Sequence, residues 1–342
     1  LSSERLRRDD LEANTSLRLD HVLGQHLLAG SVEFIQLRRD DDQTLYAVTT
    51  AYRARENQWT AWLQDEWTLA PGLVFTGGLR HEAMRLDVDG VKRDYSRLSP
   101  SVALRWEPGK EWVFRTSLGA GLKTPKLDEL TDMPVTSLSA NSPLEADRRG
   151  NPNLLPERSL NFEAVLERYL ADKGGVLGAN VYWRATDNFI ERRVELEGVR
   201  WVDRPRNEGD AIHYGVELDA KLSTDGWGLK GGTLRGHLTL PRSEVKDTRL
   251  GIERSARETP AYQLTLGHDQ SLPAWKGSVG FLIQFYGRVK SEVAGEQWAS
   301  TRARNVLDLY ALRKLTPNLN LRLNLQNVLG ADTRRYESAE DG

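Results

Sequence analysis

The chain has 342 residues, no cysteine, and 47 basic against 49 acidic side chains, for a formal net charge of -2. That balance leaves no electrostatic footprint for nucleic acid, and the missing cysteines exclude a disulfide framework and thiolate metal sites. No apolar run approaches the roughly 18 residues of a membrane-spanning helix, whereas a spanning β-barrel stays open because its strands give only alternate residues to lipid.

From the N-terminus, LSSERLRRDDLEANTS has no apolar core and does not read as a signal peptide, so any export signal is expected upstream. Beyond it, period-two alternation predicts about fourteen strands. The first pair, 13–23 and 26–37, turns at Gly24-Gln25, and the acidic run Asp40, Asp41, Asp42 then reads as a solvated loop tip. Strands 58–69 and 73–86 meet at Ala70-Pro71-Gly72, and 98–106 and 112–122 meet at Pro108-Gly109. Strands 159–170 and 176–186 are joined across 171–174. Strand 211–222 alternates strictly: Ile212, Tyr214, Val216, Leu218, Ala220 and Leu222 against His213, Gly215, Glu217, Asp219 and Lys221. Strand 233–240 follows, then 261–271 and 278–288 around Leu272-Pro273-Ala274, and 305–315 and 319–328 around Thr316-Pro317-Asn318.

An apolar face toward lipid and a polar face toward a wet lumen gives this alternation, and so does a half-buried soluble strand. Connection lengths discriminate. Short turns alternate with long loops at 39–57, 123–156 and 187–210, which an up-and-down barrel requires and a sandwich does not. Tryptophans and tyrosines cluster toward strand ends, as interfacial girdles do. In the last strand, Leu319, Leu321, Leu323 and Leu325 are expected to face lipid, with Asn320, Arg322, Asn324 and Gln326 facing the lumen.

Several phrases carry a family resemblance. GLKTPKLDEL followed by GNPNLLPERSLNFE, QDEWTL with GLRHE, NEGDA with GVELDA, and LNLRLNLQNVLG together resemble TonB-dependent outer-membrane receptors. Lys123 stands where that family usually has arginine, and Leu122 where it often has an aromatic residue. The resemblance implies an all-β, antiparallel up-and-down transmembrane β-barrel, here partial at about 14 of an expected ~22 strands. Residues 1–342 would then be one barrel domain, with the plug domain, its coupling segment and the closing strand outside this sequence. It further implies residence in a Gram-negative outer membrane and active import of a scarce ligand, most often a ferric siderophore. Energy would come from the TonB complex acting through the plug. The iron chelate is cargo rather than cofactor, the neighbours are outer-membrane lipid and lipopolysaccharide, and no catalysis is expected. A passive porin or fatty-acid-type channel and a β-rich surface interaction protein are the rival readings.

Catalytic patterns are absent. GAGLKT fails as a phosphate loop because Leu122 separates glycine from lysine and Pro125 prevents a helix. The six histidines show no paired metal-binding spacing, and most are expected on polar strand faces. No Gly-x-Ser-x-Gly elbow occurs. The cationic loops are the stronger candidates for binding. Lys123, Arg148, Arg149, Arg192, Arg193, Arg200, Arg204 and Arg206, with Trp201 beside them, suit an anionic, planar ligand, because the guanidinium fork matches paired oxygens and an indole stacks. The competing reading pairs these cations with Glu191, Glu195, Glu197 and Asp203, or with lipopolysaccharide phosphates.

Overall fold

The computed structural model describes residues 4–45, 48–293 and 297–339. Its strands are β1 (Glu4–Leu23), β2 (His26–Leu45), β3 (Val48–Ala70), β4 (Leu73–Val88), β5 (Val91–Trp106), β6 (Trp112–Lys123), β7 (Asp147–Arg148), β8 (Glu157–Leu170), β9 (Gly175–Glu197) and β10 (Arg200–Ser223). They continue with β11 (Gly232–Asp247), β12 (Ile252–Arg254), β13 (Gln263–Leu272), β14 (Gly277–Tyr286), β15 (Val289–Glu292), β16 (Gln297–Thr301), β17 (Arg304–Thr316), β18 (Leu319–Leu325) and β19 (Arg335–Ala339). One short helix, α1 (Leu127–Leu130), lies between β6 and β7.

Sixteen strands form one sheet; β7 and β12 lie to its side, and the other fourteen run in chain order from β1 to β18. Every pairing along this wall is antiparallel. Among the described residues β1 and β18 each have a single neighbour, so the wall is an open arc there rather than a closed barrel. The wall strands correspond to those read from the sequence. The separate sheet of β15, β16 and β19 was not legible there.

Strand lengths depart from expectation. The stretches read as loops 39–57 and 187–210 are continuations of the β2–β3 and β9–β10 hairpins. Where both faces are wet, the backbone ladder persists while the apolar stripe that marks a strand disappears, and charged alternation was mistaken for loop. Asp41 accordingly sits within β2, 1% exposed, taking a bidentate contact from Arg8 at 2.8 and 3.1 Å. The tip of that hairpin, 46–47, lies outside the described residues. The connection 123–156 does leave the wall, holding only α1 and β7.

Residues directly opposite in an antiparallel pair share a face, so register carries facial identity from strand to strand. Leu104 lies opposite Thr116, and Ala164, Val181, Val216 and Leu240 follow across β8, β9, β10 and β11. Two residues along, Val102, Leu118, Phe162, Trp183 and Tyr214 make a parallel row. The same face continues through Leu238, Leu264 and Phe285, and through Ile283, Leu307 and Leu309 to Leu325. At the other end it holds Leu19, Gly30, Leu63 and Leu79. Leu63 remains 63% exposed and Leu321 59% exposed, so this apolar belt has no cover among the described residues. The expected phase of β18 holds, since Leu323 pairs with Ala311 and Leu325 with Leu309 on that outward face.

The opposite face is polar and internally bonded. Asn180 donates to Glu163 at 2.9 Å and to Glu217 at 3.1 Å, and Arg115 pairs with Glu167 at 2.8 Å. Arg184 donates to Asn161 at 2.6 Å, and His237 meets Asp219 at 2.7 Å. Four of the six histidines do not lie on this face as expected. Register places His21 opposite Leu28, His26 opposite Trp67, His81 between Ala61 and Leu98, and His268 between Leu234 and Phe281. His26 stacks on Trp67 at 5.3 Å and His81 bonds Ser96 at 2.9 Å, so local partners accommodate these rings on the outward face. Aromatic clusters mark the short-turn rim, with Trp106 and Trp112 against Phe114, Arg168 over Trp112, and Arg313 over Trp275.

Neighbouring substitutions on β9 separate the two faces. In the full-length protein, Val181→Arg should lower folding stability in a bilayer by about 2–4 kcal/mol. Asn180→Arg, flanked by Glu163 and Glu217, should fold nearly normally. Denaturant titration in lipid vesicles reads the difference; equal losses contradict the facial assignment.

Candidate functional site

The long-hairpin end of the wall carries the predicted cations. Above Ala211, β10 loses β11 as a neighbour, because their pairing ends at Ala211 with Val245. β9 and β10 stay together through two register shifts flanking Gly209. Gly209 has φ +138, and a Cβ there would sit 2.3 Å from the Lys246 carbonyl, so no other residue fits this bend. The hairpin tip therefore rises above the wall with one edge of β10 open.

Residues 124–156 fold across to cover that edge. α1 starts the segment, with Glu129 accepting from the Lys126 N–H at 2.8 Å. Leu130 and Leu154 bury beside Ala54, Leu86 and Val88 from β3 and β4, with Tyr95, Leu127 and Ile190 around them. The GNPNLLPE run acquires a physical meaning here. A Cβ on Gly150 would meet the Thr131 carbonyl at 2.3 Å, so the chain approaches itself too closely for a side chain. Asn151 donates to the Pro205 carbonyl at 3.0 Å, and Glu157 accepts from Lys123 and from the Ile190 N–H, each at 3.0 Å.

The covering contacts run along β10 like the rungs of another strand. Asn141 accepts from the Trp201 N–H at 2.7 Å and donates to the Trp201 carbonyl at 2.9 Å. β7 pairs in parallel, Asp147 with Val202 and Arg148 with Asp203. The Arg149 N–H reaches the Asp203 carbonyl at 3.1 Å, and Asn207 exchanges bonds with the Leu155 N–H and carbonyl at 2.9 and 3.0 Å.

Each predicted cation has a carboxylate partner. Lys123 meets Glu157 at 3.0 Å, Arg149 meets Asp132 at 2.9 Å, and Arg192 meets Asp203 at 2.9 Å, with Arg148 more loosely at 3.6 Å from the same Asp203. Arg193 contacts Glu195 and Glu208, Arg206 meets Glu195 at 2.7 Å, and Arg200 grips Asp147 at 2.5 and 2.8 Å. Arg204 is the most connected, reaching Glu197 through two nitrogens, Asp132 at 2.9 Å and the Gly150 carbonyl at 2.6 Å. Glu195, Glu197 and Asp203 were foreseeable partners. Glu191 instead accepts from Arg254 at 2.7 Å, and Arg254 also holds Asp247 at 2.9 Å. Asp132, Asp147, Glu157 and Glu208 gave no local signal, since folding alone brings them to these cations.

Exposure divides the set. The Arg204 and Arg193 side chains are 11% and 15% exposed, whereas Arg148, Lys123 and Arg200 are 72%, 62% and 49% exposed. Trp201 is half-buried. A cavity of about 760 Å³ opens between the covering segment, the β9–β10 hairpin and the small sheet, lined among others by Leu144, Arg148, Arg192, Asp203, Arg257 and Arg335. Of the predicted residues, Arg148 and Arg192 line it and the other seven do not. Arg200 holds the Asp147 carboxyl below its usual range, helped by the Ser137 N–H, while burial pushes the Glu208 carboxyl up despite Arg193. Among the described residues no group of histidine and carboxylate side chains is arranged to hold a metal ion.

Comparison with known proteins places this geometry. The family model described as TonB dependent receptor-like, beta-barrel, matches residues 2–328. An iron-regulated outer membrane virulence protein of Vibrio cholerae is 31% identical over 145 residues, 42% of this chain and 20% of that protein. Among solved structures, a mutant ferric enterobactin receptor of Pseudomonas aeruginosa superposes with a TM-score of 0.68 at 20% identity, covering 95% of this chain and 48% of that one. An iron transporter of Neisseria meningitidis gives 0.70 at 15% identity, over 94% and 51%. A copper transporter gives 0.75 at 15% identity, over 96% and 51%. The chain thus spans about half the length of these structures.

Arg204 should be the structural key of the covering segment. Arg204→Ala leaves Glu197, Asp132 and the Gly150 carbonyl without their donor, at a cost of about 3 kcal/mol. Exposed Arg148→Ala should change stability by less than ~1 kcal/mol. Limited proteolysis of the full-length protein should cut within 131–150 much faster in the first variant than in the second. Equal cutting rates contradict the assignment.

Proposed function

Because the chain belongs to the TonB-dependent receptor-like β-barrel family, we propose that it forms the wall and outer mouth of an outer-membrane importer for an anionic ferric chelate. The observation that carries this reading is the outward apolar face that register propagates across the wall strands, backed by a bonded polar face. Such a surface is stable against lipid and unstable against water. In this reading the short turns lie in the periplasm, and the β2–β3 and β9–β10 hairpins and residues 123–156 lie outside, among lipopolysaccharide. The plug and the TonB complex supply gating and energy, and no bond of the cargo changes.

The candidate residues take two roles in this reading. Arg148 and Arg192 at the cavity, with exposed Lys123 and Arg200, would meet the anionic oxygens of the chelate. Arg149, Arg193, Arg204 and Arg206 would hold the mouth in shape, and Trp201 would pack beside the cargo. Iron is also the cargo named for two of the structurally similar proteins, which supports a ferric chelate over a neutral solute.

Uptake of radiolabelled ferric chelates by cells carrying the full-length protein tests this reading. Uptake of at least one anionic chelate should require a working TonB complex, and Arg148→Ala should weaken binding of that chelate by roughly tenfold or more. Uptake that persists without TonB, or that prefers neutral solutes, contradicts it.

A further inference from the structure

The covering segment is fastened to β10 by many polar contacts, one of which differs in kind. Among the described residues, Arg200 and Asp147 form the one contact between segment and hairpin tip in which a nearly buried carboxylate, 5% exposed, depends on a half-exposed guanidinium, 49% exposed. Nε and Nη2 of Arg200 are engaged by Asp147, while Nη1 makes no hydrogen bond among the described residues. An anion arriving from solvent can therefore dock on Nη1 before competing for the fork. Asp147 also accepts from the Ser137 N–H at 3.0 Å and belongs to β7, the two-residue strand paired with Val202 and Asp203. Losing Arg200 would leave a buried carboxylate with neutral donors alone, the Ser137 N–H and the Asn141 amide. A buried charge stripped of its partner is strongly unfavourable, so the carboxylate moves to water and takes its strand with it.

We infer that residues 135–149 form a detachable latch over the open edge of β10, and that an anion bound at Arg200 releases it by displacing Asp147. The latch is built to part at this point. Its inner end is anchored independently by buried Leu130 and Leu154 and by Arg204 on the Gly150 carbonyl. Its outer part is held to β10 by Asn141 and β7, and is closed on itself by the isolated bridge between Val135 and Arg148. Releasing it opens one wall of the cavity, because Leu138, Leu144 and Arg148 leave together while Arg192 stays on the hairpin. Cargo binding at the mouth is thereby coupled to widening of the mouth. This inference rests on the proposed ligand class for its trigger and on the structure alone for its catch.

Hydrogen–deuterium exchange on the full-length receptor in detergent, read on peptides covering 135–149, tests both parts. Asp147→Asn and, as an independent second variant, Arg200→Gln should each speed exchange there at least tenfold. Arg85→Gln, which removes a remote exposed pair with Asp94, should leave it unchanged. In the unmodified receptor a saturating ferric tris-catecholate should speed exchange in the same peptides. Wild-type exchange in both Asp147→Asn and Arg200→Gln overturns the latch. Chelate binding that leaves these peptides as protected as before overturns the trigger while the importer reading stands. A chelate series that never binds defeats the importer reading, and the two variants still judge the latch.

Discussion

Inside a bilayer no water is available to satisfy backbone N–H and C=O groups, and that constraint shapes everything else in this chain. It makes each strand pair fully with its neighbours, and full pairing fixes register. Register then decides which side chains meet lipid, because a slip of one residue would turn Val181 and Val216 inward and Asn180 and Glu217 outward. The leucines of β18 and the glutamates of β8 and β10 thus answer the same requirement from opposite faces.

The requirement returns in milder form above the wall. Where β11 turns away, the edge of β10 from Trp201 to Asn207 would stand open, and open strand edges invite adventitious pairing. The segment from Asn141 to Leu155 closes it with side-chain amides, a two-residue strand and backbone bonds. Arginines fasten this cover because a guanidinium can reach several acceptors at once, as Arg204 does with two carboxylates and a carbonyl. The buried cations hold the covering segment in shape, and the exposed ones remain available to solvent.

What was legible in the sequence follows from range. Alternation is local, so the wall strands, their short turns and the phase of Leu319 to Leu325 could be read directly. The extent of β2, β3, β9 and β10 could not, because pairing above the membrane needs no apolar residue and leaves charged stretches that resemble loops. The candidate cations were legible as a cluster, and so were their nearby partners Glu195, Glu197 and Asp203, but the distant partners were not. Asp147 lies far from Arg200 in sequence, and Asp132 from Arg204, so only the folded chain joins them. The outward histidines were misread because composition says histidine is polar, whereas stacking on Trp67 or bonding to Ser96 accommodates it on an apolar face.

The most direct test of the central claim, that one face of this sheet meets lipid along its length, is a nitroxide accessibility scan of β10 from Ile212 to Leu222 in the full-length protein in vesicles. Positions 212, 214, 216, 218 and 220 should be accessible to oxygen dissolved in the bilayer and protected from a polar nickel reagent, and the odd-numbered positions between them should not favour oxygen. An absent alternation, or one of opposite phase, would contradict the account.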